Sequence, residues 1–330
     1  MSPSVILIAI IIVALAFEFI NGFHDTANVV ATPIATRSLS PYQAIIIAAI
    51  FNFVGAFLGT GVAATISKGL VDSTLVTHVV LIAALISAIG WNLITWALGI
   101  PSSSSHALIG SLAGAVIATD GFSAVKYATL VNKVIIPMVI SPVLAFFLAF
   151  IIMLIVMRSL HNNSHPRRAN NFIRELQVLS SSLLALSHGS NDAQKTMSII
   201  TLALFSFGLV SDAGHIPFWV IVICALAMAL GTLSGGMKII RTLSTRVAKL
   251  RPANGFSAEL SSGLLILAAS HFGLPVSTTQ AASGSIMGAG YTGKGLNWNV
   301  VRSMVTAWVL TLPVCMLLGA AIFKMLHLFW

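Results

Sequence analysis

The chain has 330 residues, 57% of them apolar and 8% charged, with a mean hydropathy of +0.99. That balance excludes a water-soluble domain and implies a polytopic membrane protein, in which stretches of about 20 apolar residues cross a hydrocarbon core roughly 30 Å thick. The net charge of +9 comes from basic residues gathered in connecting segments, which is a topology signal and not a nucleic-acid surface.

The period of the apolar residues is helical, with no alternating strands of the kind a barrel needs, so the class is all-α. The first span is predicted near 4–33. Its start lacks a basic head, carries Glu18 and runs directly into a polar motif, so Met1 to Ile20 is expected to be span and not a cleaved leader. The motif is NGFHDTAN, from Asn21 to Asn28. It puts Asp25 at membrane depth, where a carboxylate is costly and is a functional candidate by default. Gly22, just before the acid, permits a break in the helix that would free backbone groups for ions, polar side chains or water. Glu18 lies almost two turns before Asp25, on roughly the same side of the helix.

Spans near 42–67 and 77–98 follow, interrupted by Asn52 and Asn92. A shorter segment, 99–119, reads GIPSSSSHALIGSLAGA from Gly99. Pro101 suits a first helical turn, and Ser102, Ser103, Ser104 and Ser105 set hydroxyls beside the unpaired amides of that helix end. Such an end carries about half a positive charge and binds phosphate-like anions. A span near 127–157 and a basic linker, 158–175, with its polar run from His161 to Asn171, complete this part.

The second half repeats the first. A span near 176–207 carries HGSNDAQK, from His188 to Lys195, in which Gly189 and Asp192 match Gly22 and Asp25. Spans near 216–240 and 256–272 follow, the latter with Glu259. Segment 273–290 then reads GLPVSTTQAASGSIMGA, and Pro275, Gly284, Ser285 and Gly288 match Pro101, Gly110, Ser111 and Gly114 at a constant offset of 174 residues. A last span is predicted near 298–328. Cys224 and Cys315 fall inside spans without metal-ligand spacing.

About ten apolar segments with the N-terminus outside would place Arg37, Arg158, Arg167, Arg168, Arg174, Lys238, Arg241, Arg246, Lys249, Arg251, Lys294 and Arg302 inside. Lys68, Lys126, Lys133 and Lys324 stay outside, as the positive-inside rule asks. Five crossings per half then invert the second half relative to the first. The expected organisation is a first inverted repeat, 1–157, a cytoplasmic linker, 158–175, and a second repeat, 176–330, with broken helices and two short Ser/Thr-rich hairpin-like segments.

Asp25, Asn28, Asn191 and Asp192 supply oxygen ligands for a small hard cation, or a proton-accepting carboxylate. His24, His106, His188 and His271 lie near the motifs as proton relays or as packing residues. Lys195 has no counterpart, because Asn28 holds its place; it either pairs Asp192 permanently or meets an anion. Asp72, Asp120 and Asp212 read as solvated loop acids.

Over nearly its full length the chain resembles the PiT family of inorganic phosphate transporters. The family's duplicated G-A-N-D-V-A-N-type motif is written here as NGFHDTAN and HGSNDAQK. The FNF of Phe51 to Phe53, the WNL of Trp91 to Leu93, SSSSH ending at His106 and the PVSTT of Pro275 to Thr279 are similar to the bacterial branch. The resemblance implies hydroxyl-rich hairpins that hold phosphate and Asp motifs that hold coupling ions. Two positions depart from the family: many eukaryotic members have Glu at Asn52, and His is common at Gln280. Glu259 agrees with sodium-coupled members, whereas FHDTAN and NDAQK look like members that use protons or carry neutral metal-phosphate.

The expectation is a secondary active transporter, not an enzyme, that imports inorganic phosphate across the cytoplasmic (inner) membrane in symport with H+ or Na+, without cofactor or resident metal. Phosphate is assigned to Ser102, Ser103, Ser104, Ser105, Ser277, Thr278, Thr279, Gln280 and Lys195. The cation or proton is assigned to Asp25, Asn28, Asn191, Asp192, Glu18, Asn21 and Glu259. The partners admitted are phosphate, alone or as a divalent metal complex, membrane lipid and a second copy of the chain, with no nucleic acid. A sulfate permease of the same fold is the alternative. An intramembrane aspartyl protease would leave the hydroxyl segments unexplained and lacks GxGD and HExxH, and a passive anion channel would not work against a gradient.

Overall fold

The computed structural model describes residues 2–161, 166–292 and 295–328; Lys294 and residues 162–165 of the linker lie outside them. In chain order the α-helices are α1 (Pro3–Ala35), α2 (Pro41–Gly55), α3 (Gly61–Gly69), α4 (His78–Leu98), α5 (Ser104–Asp120), the single turn α6 (Tyr127–Thr129) and α7 (Ile136–His161). After the linker come α8 (Pro166–Ser206), α9 (Phe218–Ser234), α10 (Met237–Arg241), α11 (Pro252–His271), α12 (Thr278–Tyr291) and α13 (Trp298–His327). Wider π-turns join α6 to α7 over Leu130–Ile135 and extend α10 over Thr242–Arg246. Among the described residues there is no strand, only two isolated bridges, Val71 with Val125 and Ala248 with Leu296.

Four helical stretches are long and apolar enough to cross a bilayer alone: Pro3–Ala35, His78–Leu98, Tyr127–His161 and Trp298–His327. A fifth is formed if Phe218–Ser234 and Met237–Arg246, bent by 60°, count as one. Of the remaining helices, α8 and α11 bury many polar residues inside the bundle. In α5 and α12 nearly every residue is buried, hydroxyls included.

Local chemistry explains where these helices start and stop. The repeated Gly-x-Pro is a stop followed by a start. Gly99 and Gly273 end α4 and α11 in the left-handed region, at φ +67° and +64°, where a side chain would be strained. The following amides turn back, Ile100 N to the Thr95 carbonyl at 2.9 Å and Leu274 N to the Ala269 carbonyl at 2.8 Å. Each hairpin is then pinned by one hydroxyl pair: Ser111 donates to Ser87 at 2.9 Å, and Ser261 donates to Ser285 at 2.8 Å.

The expected breaks at Gly22 and Gly189 do not occur. Helix α1 runs unbroken through Asn21–Asn28, and α8 through His188–Lys195. The Gly22 carbonyl keeps a local partner besides, since Thr26 Oγ1 donates to it at 2.5 Å. These glycines serve close approach instead. A Cβ at Gly22 would lie 2.5 Å from the Met228 carbonyl oxygen, and one at Gly189 would lie 2.1 Å from that of Asn52. The breaks fall in the partner helices, between α2 and α3 and between α9 and α10.

The same contacts recur in both halves with partners exchanged. A Cβ at Gly55 in α2 would lie 2.1 Å from the Leu186 carbonyl oxygen of α8, and one at Gly231 in α9 would lie 2.1 Å from the Phe19 carbonyl oxygen of α1. Likewise α5 lies against α13 and α12 against α7, where a Cβ at Gly114 would come within 1.9 Å of the Met316 carbonyl oxygen and one at Gly288 within 2.0 Å of that of Phe146. Without a hydrophobic drive between helices in lipid, such small-residue contacts are what lets backbones pack.

Gly22→Ala and Gly189→Ala are expected to cost about 1–3 kcal/mol each through overpacking, lowering the melting temperature of the detergent-purified protein. Gly90→Ala, where a Cβ meets nothing within 4 Å, should leave it unchanged or higher.

Candidate functional site

Two helix N-termini and two acids form the centre of the bundle. Ser103 caps α5, its Oγ accepting from the His106 amide at 3.2 Å, and Ser277 caps α12, accepting from the Gln280 amide at 3.2 Å. Each cap satisfies one orphan donor of its helix end and leaves the positive end of the dipole in place. The residue after each cap then donates to an acid. Ser104 Oγ reaches Asp25 Oδ2 at 2.8 Å, and Thr278 Oγ1 reaches Asp192 Oδ2 at 3.2 Å. Thr279 links the halves, donating to Asp25 Oδ1 at 3.4 Å and accepting from Asn28 Nδ2 at 2.9 Å. Ser105 Oγ donates to the Val276 carbonyl at 3.2 Å, so the two helix ends touch directly.

The acids themselves are close. Asp25, Asp192 and His188 offer ligand atoms that all lie within 4.8 Å of one another, a grouping able to hold a cation. All three are buried. His24 Nδ1 sits 2.5 Å from Asp25 Oδ1 and its Nε2 lies 3.1 Å from Thr95 Oγ1. Lys195 Nζ donates to Asp192 Oδ1 at 2.6 Å, which is the first of the two roles expected for it. His188 Nε2 lies 3.4 Å from Asp192 Oδ2, and its Nδ1 is 3.1 Å from Asn52 Oδ1.

Around this cluster several buried polar atoms have no protein partner: both amide atoms of Asn21, Asn28 Oδ1, Asn191 Oδ1 and both ring nitrogens of His106; the Gln280 side chain instead lines an apolar groove with Pro142, Phe146 and Trp308. Leaving such a group unpaired costs about 1–3 kcal/mol. Their concentration here is the pattern expected of a site that completes its hydrogen bonds with an ion or a polar substrate.

The remaining expected residues sit as follows. Ser102 Oγ donates to Thr95 Oγ1 at 2.8 Å, at the edge of the cluster. Asn191 Nδ2 donates to Ser270 Oγ at 2.9 Å and to the Leu274 carbonyl at 3.3 Å. Glu18 accepts from Thr196, the residue after Lys195, and its Oε1 is unpartnered. Glu259 stands apart. Its carboxylate accepts from Thr32 at 2.6 Å, Gln177 at 2.8 Å and Ser180 at 2.6 Å, and has no hydrogen bond to the central group. The loop acids Asp72 and Asp212 are exposed as expected; the Lys68 ammonium, 2.5 Å away, and the Gly214 amide hold the Asp212 carboxyl below its usual range.

One residue of the second motif has a role that sequence reasoning missed. Gln194 Oε1 accepts from the Val62 and Ala63 amides at 2.8 and 3.1 Å, capping α3 from another helix. The available signal was its mismatch with Ala27, two residues after the matching acid. Gln194 also lines a cavity of about 690 Å³ with Gly59, Gly61, Ser190, Ser270 and His271, beside the second acid motif.

A family model described as the phosphate transporter family matches residues 21–169 and 160–319. The chain belongs to the phosphate transporter family. A probable low-affinity inorganic phosphate transporter of Bacillus subtilis (strain 168) is 48% identical over 328 residues, covering 98% of each chain. One of Mycobacterium tuberculosis (strain ATCC 25618 / H37Rv) is 47% identical over 325 residues, 98% of this chain and 78% of that one. A putative phosphate permease of Pyrococcus furiosus is 27% identical over 399 residues, covering 97% of this chain and 96% of the other. Among solved structures, one titled "The sodium-dependent phosphate transporter" has a TM-score of 0.90 at 24% identity, covering 99% of this chain and all of that one, so this member of the phosphate transporter family shares its fold. Family and apolar helices together make it a multi-pass membrane protein and not an enzyme.

Gln194→Ala should cost about 1 kcal/mol through the lost cap on α3, visible as a lower melting temperature in detergent.

Proposed function

We propose that this protein is a secondary transporter that takes up inorganic phosphate across the cytoplasmic membrane, driven by a gradient of protons or sodium ions. The observation that carries this reading is the shared hydrogen bonding of acids and helix ends, Ser104 to Asp25 and Thr278 to Asp192. A positive helix end lined with hydroxyls suits a tetrahedral oxyanion, and two carboxylates with oxygens within 4.8 Å of each other suit a cation. Held side by side, the two charges offset most of each other's desolvation, whereas either alone is expensive in this burial. That difference is the physical basis of obligatory coupling. The curated relatives are named as phosphate transporters, which supports phosphate as the cargo.

The anion falls to Ser102, Ser103, Ser104, Ser105, Ser277, Thr278, Thr279 and Gln280, and the cation or proton to Asp25, Asn28, Asn191 and Asp192 with Asn21 and Glu18 beside them. Glu259, in its own network of Thr32, Gln177 and Ser180, is a second acidic station, off the central pair. The cavity beside Ser190 and Ser270 is the access route from one side.

The halves, 1–157 and 176–330, act as an inverted repeat joined by the linker 158–175. Support comes from the exchanged helix contacts and from the duplicated bridges, Val71 with Val125 near the end of α5 and Ala248 with Leu296 near the end of α12. At 1.5 Å per residue α5 and α12 are about 26 and 21 Å long, less than the hydrocarbon thickness. Their N-termini meet and their C-termini lead to separate loop pairs, so each is read as a half-span entering from its own side.

In proteoliposomes, labelled phosphate should accumulate against its gradient when sodium and proton gradients are imposed separately, one of them sufficing. Asp25→Asn and Asp192→Asn should each cut that uptake at least about 100-fold, the size of a lost charge-assisted bond of roughly 3 kcal/mol. Normal uptake by both variants would overturn the reading. Excess sulfate that competes as well as unlabelled phosphate would reassign the cargo to sulfate.

Ser104→Ala and Thr278→Val, each removing a hydroxyl donor, should lower uptake about 10-fold or more. Ser262→Ala, whose hydroxyl bonds only backbone of its own helix, should leave uptake near normal.

A further inference from the structure

The two acid sites are alike in their hydroxyl donors and unlike in their cationic neighbours. Three residues after Asp25 stands Asn28, whose Nδ2 donates to Thr279 and not to the acid. Three residues after Asp192, on the same helical face as the acid, stands Lys195, whose Nζ is 2.6 Å from Asp192 Oδ1. Both side chains of this pair are fully buried, at 0% exposure. Asp25 has His24 against it at 2.5 Å and His188 within 4.8 Å, groups that are charged only when protonated.

A small cation on a carboxylate sits at oxygen distances of about 2.3–2.6 Å. The ammonium of Lys195 therefore occupies the space such an ion would take beside Asp192 Oδ1, and it supplies the same unit charge. It differs in being tethered to α8, so it cannot be exchanged with either solution.

We infer that Lys195 is a built-in substitute for the coupling cation at the second acid, so that only the Asp25 half of the duplicated site loads and releases a cation in each cycle. This inference rests on the transport reading above and gives it a stoichiometry: one cation fewer per phosphate than the duplication provides. The other titratable groups facing Lys195 and Asp192 are His188 and Asp25 in the central group, His106 of α5, and Glu18, which meets α8 through Thr196. His188 lies 3.4 Å from Asp192 Oδ2, on the oxygen that Lys195 does not take. Lys195→Asn restores at the second acid the residue that the first half carries at Asn28, and it opens the position beside Oδ1 to a free ion.

The test is the static-head accumulation of phosphate by full-length protein in proteoliposomes, with the membrane potential clamped. Accumulation is followed against a series of sodium gradients at fixed pH, and against a series of pH gradients at fixed sodium. Lys195→Asn should show a log–log slope steeper than the wild type by one cation per phosphate. Equal slopes in the two proteins would overturn the inference while leaving the transport reading intact. A wild type that accumulates phosphate on neither gradient would overturn the transport reading, and the inference with it. Should Lys195→Asn not transport, melting of the detergent-purified variant is followed against NaCl, with choline chloride at equal ionic strength as control. A rise in melting temperature larger than that of the wild type, with added sodium or, in choline chloride, with falling pH, supports the substitution, and a melt that follows the wild type in both series overturns it.

Discussion

Everything central in this structure depends on keeping two carboxylates ionisable inside hydrocarbon. Asp25 and Asp192 are buried to within 2% of full exclusion from solvent, and an isolated charge in that position is far too costly to persist. What sustains them is arranged in layers: a hydroxyl from each helix end, the positive poles of α5 and α12, and a cationic or potentially cationic neighbour, Lys195 or His24. The hairpins stop at Gly99 and Gly273 so that those poles point inward and not at a membrane surface. The small residues of α5 and α12 follow from the same need, since a helix end can reach the centre only if its flanks pack without bulk.

The two halves have diverged at the acids while keeping the frame around them. The caps Ser103 and Ser277, the donors Ser104 and Thr278 and the hydroxyl pairs within each hairpin are repeated with little change. The cationic partner is not repeated. The repeated frame brings two helix N-termini together from opposite sides, and the difference between Asn28 and Lys195 changes the charge beside the acids without altering that shape.

Much of the site was legible in the sequence because polar residues are rare in spans, so a repeated polar motif stands out against its background. Asp25, Asp192, Ser104 and Thr278 were found that way, and the geometry joins them. The conduct of Gly22 and Gly189 was not legible. Glycine serves equally for a helix break and for a close approach, and only the positions of the Met228 and Asn52 carbonyls decide between them. Glu259 groups with the central acids in sequence through its place in a span and its agreement with sodium-coupled family members, and its separation depends on Thr32, Gln177 and Ser180, hydroxyl and amide residues too common to signal anything alone. Gln194 was hidden for a related reason: a cap supplied from a distant helix leaves no local pattern.

The exchange of partners between the halves bears on how the chain is made. Domains usually fold in the order of synthesis, the N-terminal part first. Here α2 meets its glycine-lined surface on α8, and α5 meets its own on α13, the last of the described helices. Taken alone, the first half would leave these small-residue surfaces unmatched and Asp25 without Thr279. A protein assembled this way has no finished intermediate to stop at, and a nascent chain cut off after the linker is a ready substrate for quality-control proteolysis.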